Sequence, residues 1–126
     1  MRRSFGGLGE TEWIVMKCCW KLGKTSARNV FEESLNFGKR SYQTIKTILD
    51  RLVYKGLLER EKFGPIWLYT PVASEETMTT TAIDSFFKIV LGNSFVPVFM
   101  RLVEDKKYEK DLDEIKKIIG SMKDKK

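Results

Sequence analysis

The sequence predicts a mainly α chain with one small β-hairpin: three helices, the hairpin, then three further helices. Three observations carry this. Apolar residues recur at helical spacing in six separate stretches. The period changes to that of strands only between Leu57 and Val72. Gly, Ser and Thr punctuate the places where helices stop and start. With 126 residues, 42% hydrophobic and 32% charged, the chain is long enough for one ordinary domain or two small ones, and too apolar to be disordered.

The first helix follows a glycine-rich start (Gly6, Gly7, Gly9) and begins at Thr11. Trp13, Met16 and Trp20 fall at i, i+3 and i+7, with Cys19 beside Trp20 and Ile14 and Cys18 on the flank, so most of its circumference is expected in the core. Gly23 ends it. Thr25 or Ser26 caps a short second helix with apolar residues Ala27, Val30, Phe31 and Leu35, broken at Gly38. The third helix runs from an N-cap at Ser41 to Gly56, which suits the left-handed residue past a helix end. Its buried stripe is Ile45, Ile48, Leu49, Leu52 and Val53. Leu57–Lys62 and Ile66–Val72 then form a hairpin around Gly64 and Pro65. Three helices followed by a hairpin is the order of a winged helix-turn-helix domain.

From Ser74 the chain returns to helix. Glu75 and Glu76 suit the dipole of a first turn. Ala82, Phe86, Ile89 and Val90 form the stripe of this helix, which stops near Gly92. A fifth helix follows Ser94, with Pro97 in its first turn and Phe95, Phe99, Leu102 and Val103 on one face. A sixth is expected to be capped by Asp111 with Glu114, and it carries Leu112, Ile115, Ile119 and Met122. Residues 123–126 are expected to fray. These helices carry more apolar surface than so small a unit hides by itself. We therefore expect residues 1–73 to form one domain and 74–126 a helical dimerisation region held by Phe86, Ile89, Val90, Phe99, Leu102, Ile115 and Ile119.

The charge is unevenly placed. Residues 1–73 hold 13 Lys and Arg against 7 Asp and Glu, and residues 74–126 hold 10 against 10, so the net +6 lies wholly in the first part. Such asymmetry points to a polyanionic partner for one half. The exposed face of the third helix fits that partner. It carries Tyr42, Gln43, Thr44, Lys46, Thr47, Arg51 and Tyr54, with Asp50 as its one acid. Hydrogen-bonding side chains with long cations suit base edges and phosphates in a major groove.

Glu12, Trp13, Val15, Met16, Trp20, Ser26, Ala27 and Val30 match the first part of the pattern of the penicillinase-repressor family. Ser41, Thr44, Ile45, Thr47, Ile48, Arg51, Leu52, Lys55 and Gly56 match its second part. The chain resembles that family closely over residues 9–91 and loosely beyond. The resemblance implies a dimeric bacterial transcriptional repressor on a palindromic double-stranded DNA operator. It implies Gln43, Thr44, Lys46 and Thr47 in the major groove, and Ser41 and Arg51 near phosphate. It also implies a membrane-bound sensor metalloprotease as a partner. The chain departs from the pattern in three places. Its wing tip, Gly64-Pro65-Ile66, is less polar. The stretch from Gly92 to Lys110 is longer and lacks the Asn-Phe pair at which relatives are cut. The C-terminus lacks the Cys-x-Cys of copper-responsive relatives.

Other classes fare worse. The chain has no histidine, no phosphate-binding glycine loop and no metal-ligand spacing, so neither an enzyme, a metal site nor a cofactor is expected. The alternative is a winged-helix protein-interaction module without DNA contact, which the localised charge disfavours. Adjacent Cys18 and Cys19 are expected as small core residues rather than sensors. Trp13, Trp20 and Trp67 are expected in packing rather than base stacking. With no apolar run of about 18 residues and no apolar stretch behind Arg2 and Arg3, a cytoplasmic protein is expected.

Overall fold

The hydroxyl of Ser41 accepts the backbone N–H of Thr44 at 3.1 Å and starts helix α3 (Tyr42–Tyr54). Gly56, at φ +81°, ends it in the left-handed region, where a side chain is strained. The computed structural model describes residues 4–5 and 7–124. Gly6 of the glycine-rich start and the last two residues of the expected frayed tail lie outside them; Lys123 and Asp124 belong to a helix.

A two-residue strand pair, β1 (Ser4–Phe5) with β2 (Leu8–Gly9), precedes α1 (Glu10–Leu22). So short a pair has no period to be read from sequence. The first helix begins one residue earlier than expected, because Glu12 accepts the N–H of Gly9 at 3.1 Å and caps it. Its buried residues are Glu12, Val15, Met16, Cys18 and Cys19, while Trp13, Ile14 and Trp20 are half-buried. Then come β3 (Thr25–Ser26) and α2 (Ala27–Ser34), where Ser26 is the cap and accepts from Asn29 N–H at 3.2 Å. Leu35, expected in the α2 stripe, instead opens a 3-10 turn (Leu35–Phe37) and is 48% exposed. Ser34 takes the buried place, its hydroxyl donating to Phe31 O at 2.6 Å.

The hairpin is β4 (Leu58–Phe63) against β5 (Ile66–Pro71), antiparallel from Leu58–Pro71 to Phe63–Ile66. Thr25 and Ser26 pair with Tyr69 and Leu68 on the other edge of β5, giving a three-stranded sheet ordered β3-β5-β4. The core lies between this sheet and α1, α2 and α3. Ile45, Ile48, Leu49 and Leu52 meet Val15, Met16, Val30, Leu58 and Tyr69 there, all buried.

Helix α4 (Glu75–Ile89) starts under a Ser74 hydroxyl that accepts Thr77 N–H at 3.1 Å. Its first turns pack with the winged part. Met78 reaches the core, Lys17 pairs with Glu75 at 2.8 Å, and Trp20 Nε1 donates to Ala73 O at 2.9 Å. The charge boundary after Ala73 therefore marks where α4 begins, while the two compact units divide within it, after Ser85.

The second unit holds the end of α4, then α5 (Val96–Glu104) and α6 (Glu109–Asp124). Pro97 sits in the first turn of α5, and Phe95 and Phe99 meet edge-on at 6.3 Å between ring centres. The expected cap at Asp111 is not where α6 begins. A 3-10 turn (Lys106–Tyr108), capped by Asp105 on Lys107 N–H at 3.0 Å, leads into the helix two residues earlier, leaving Asp111 inside its first turn.

Candidate nucleic-acid interface

Helix periodicity sorts α3 into two faces. Ile45, Leu49 and Leu52 are wholly buried and Ile48 nearly so. Ser41, Gln43, Thr44, Thr47 and Arg51 are exposed. Local contacts set their orientation. The Thr44 hydroxyl lies 2.9 Å from that of Ser41, so the cap and the first exposed threonine share a hydrogen bond. Gln43 Nε2 reaches Thr47 Oγ1 one turn on, at 3.5 Å. Gln43, Thr44, Thr47, Ile48 and Arg51, with Gly9 and the first turn of α1 (Glu10–Glu12), line an open cleft of about 540 Å³. Tyr42 packs edge-on against Phe31 at 6.0 Å, joining α3 to α2. Tyr54 is 92% exposed near the end of α3.

Lys46 differs from its neighbours. Its ammonium donates to Asp50 Oδ2 at 2.8 Å and to the Tyr69 hydroxyl at 2.7 Å, and the side chain is only about a quarter exposed. Tyr69 in turn donates to Asp50 Oδ1 at 2.7 Å, and Arg60 Nη1 donates to the same oxygen at 2.9 Å. The Arg60 guanidinium also lies 4.5 Å from the centre of the Trp67 ring, with the Lys62 ammonium at 5.2 Å. One carboxylate thus joins α3 to β4 and β5. Partial burial pushes the Asp50 carboxyl up, but the hydrogen bonds from Lys46 and Tyr69 and the charges of Lys46 and Arg60 outweigh it, and its pKa is lowered. For Lys46, burial works downward and the bonds to Asp50 and Tyr69 prevail, so its pKa is raised. Sequence reasoning does not find this cluster. The one visible signal is Asp50 itself, the lone acid on that face.

Behind the interface, Lys55 at the end of α3 pairs with buried Glu12 at 2.7 Å and fixes α3 to the start of α1. Burial pushes the Glu12 carboxyl up; bonds from Lys55 and Gly9 N–H and the charges of Lys55 and Arg51 push it further down, and its pKa is lowered. Cys18 and Cys19 are buried and free, and burial raises their thiols to about 11 and about 12, so both stay protonated and inert near neutral pH. Among the described residues no group of His, Cys, Asp and Glu could hold a metal ion, and no helix is long and apolar enough to cross a membrane.

The family model described as penicillinase repressor matches residues 8–121, nearly the whole chain. The chain belongs to the penicillinase repressor family. Among its relatives, an uncharacterised 16.5 kDa protein of Latilactobacillus sakei is 38% identical over 84 residues. That match covers 65% of this chain and 56% of that protein's length. The methicillin resistance regulatory protein MecI of Staphylococcus aureus is 27% identical over 114 residues, covering 90% of this chain and 93% of MecI. The solution structure of the DNA-binding domain of the repressor BlaI superposes with a TM-score of 0.50 at 33% identity, covering 60% of this chain and 90% of that domain. The expected winged-helix architecture is thereby met. Family membership makes the chain a DNA-binding transcriptional repressor and not an enzyme. It also sets aside the module without DNA contact.

Proposed function

We propose that the chain represses by binding a palindromic operator as a symmetric dimer, with α3 of each copy in one major groove. Gln43, Thr44 and Thr47 read base edges, and Ser41 and Arg51 lie at phosphate. The observation that carries this is the sorting of α3, whose polar face is exposed over the same turns in which Ile45, Ile48, Leu49 and Leu52 lock its other face into the core. Lys46, expected in the same reading group, is held by Asp50 and Tyr69 and takes the separate part argued below.

The second unit supplies the dimer contacts. Ile89 is 79% exposed, Val90, Phe99, Ile115 and Ile119 are also exposed, and Phe86 and Leu102 are half-buried. An apolar surface of this kind on a small unit is the surface a second copy covers. The membrane-bound sensor metalloprotease belongs to the proposal on family resemblance alone. A repressor of bacterial genes works in the cytoplasm.

Competition between operator and unrelated duplex tests the reading assignment. Thr44→Ala with Thr47→Ala is expected to lower operator preference by about 1–3 kcal/mol for each base that is no longer read. Arg51→Ala is expected to weaken all duplexes alike and to lower the salt slope by about 1. Unchanged operator preference in the double variant sinks the assignment.

A further inference from the structure

At about 100° per residue, Asp50 falls around α3 between Lys46 and Gln43, on the face expected to meet DNA. A bare carboxylate there repels phosphate. This one is not bare. Both its oxygens are engaged, Oδ2 by Lys46 and Oδ1 by Tyr69 and Arg60. Two cations of the basic half, one on the recognition helix and one on the wing, therefore spend their charge on a single acid. Tyr69 is wholly buried, so the anchor of the cluster cannot swing away. Side-chain exposures of 26%, 38% and 36% for Lys46, Asp50 and Arg60 leave the cations close enough to solvent to reach a phosphate once released.

Phosphate contacts supply affinity without sequence information, and each one steepens the fall of affinity with salt by about 0.9 in log–log slope. A cation that is withheld from phosphate lowers binding to operator and unrelated duplex alike. We propose that Asp50 is a positioning residue that limits electrostatic binding to DNA: by holding Lys46 and Arg60 as partners, it keeps both from phosphate and so restrains binding that is independent of sequence. This rests on the reading of α3 as the DNA-contacting helix. Asp50 itself touches no base; it acts through the two cations.

The test measures binding of the intact chain to operator and to unrelated duplex across a salt series. Asp50→Asn keeps the shape and removes the charge. It is expected to raise affinity for operator and unrelated duplex alike, about tenfold at low salt, to steepen the slope by about 1–2, and to leave the operator preference unchanged. Asp50→Glu is expected to restore wild-type slope. Adding Lys46→Gln to Asp50→Asn should remove about one unit of the added slope. Because the two variants share the same missing carboxylate charge, a folding defect from its loss cancels between them. Tyr69→Phe, which leaves the charges paired, should not steepen the slope. An Asp50→Asn slope that is unchanged or shallower, with the wild type binding normally, overturns the inference. A steepened slope in Tyr69→Phe as large as in Asp50→Asn overturns it as well, because the phenol would then be the restraint. A wild type with no salt-dependent binding to any duplex overturns the reading of α3 and the inference together.

Discussion

The two compact units of this chain are built on opposite terms. In the unit ending at Ser85, Tyr69, Leu49, Leu52, Val15 and Met16 are wholly buried, and ion pairs such as Lys55–Glu12 and Lys46–Asp50 tie one element to another. In the unit from Phe86 onward, no described residue is buried, although its helices carry Val96, Phe99, Met100, Val103, Ile118 and Ile119. The hydrophobic content is similar in kind and differs in what covers it. A segment of about 40 residues hides only a modest share of its own surface. The winged unit escapes that limit by closing a sheet over three helices. The first unit thus holds its own shape, whereas the second gains its stabilising burial only from another surface, which in our proposal is a second copy.

The sharpest way to break this contrast is to remove apolar bulk from each side. Leu49→Ala, in the winged core, is expected to cost about 2–5 kcal/mol in chemical denaturation, through reduced burial plus the cavity left behind. Ile89→Ala, at a position 79% exposed in the single chain, should change the stability of the dilute monomer by no more than about 0.5 kcal/mol while weakening self-association. Equal losses at the two positions in monomer would end the contrast.

A smaller effect sharpens it through pH. Glu12 and Asp50, both in the winged unit, have pKa values lowered from ordinary values of 4.5 and 3.8. A carboxyl depressed on folding contributes its full stability above the ordinary value and loses it as pH falls through the folded one. The winged unit should therefore lose stability progressively below about pH 4.5. Glu12→Gln should flatten that acid limb and cost of order 1 kcal/mol at neutral pH, since Lys55 stays partly solvated. The check is the denaturation midpoint followed by a core-sensitive signal such as tryptophan fluorescence. An acid limb unaltered in Glu12→Gln would remove this pair from the account.

Much of this is legible in the sequence, for identifiable reasons. The third helix can be read because its cap, its stripe and Gly56 are all local signals, and the hairpin because its period changes and Gly64-Pro65 marks the tip. What escapes depends on long-range pairing or on competing caps. Thr25 and Ser26 form a strand only because Tyr69 and Leu68 lie beside them, and two residues have no period. The pairing of Glu12 with Lys55, 43 residues on, leaves no local signal in the sequence. The start of α6 departs from the pattern at Asp111 because Asp105 supplies a competing cap through a 3-10 turn. At the interface, the exposed residues follow from periodicity, but the engagement of Lys46 does not, since Tyr69 and Arg60 approach the Lys46–Asp50 pair from the sheet.

The division of labour between the units is tested most directly by comparing residues 1–85 with the intact chain, by sedimentation and by titration of a full palindrome against a half-site. Tethering a second winged unit raises avidity by about 10²–10⁴. The account predicts that the fragment keeps the winged fold, sediments as a monomer and binds the full palindrome no better than the half-site, while the intact chain is a dimer that prefers the palindrome by a factor in that range. A fragment that dimerises, or that matches the intact chain on the palindrome, contradicts it.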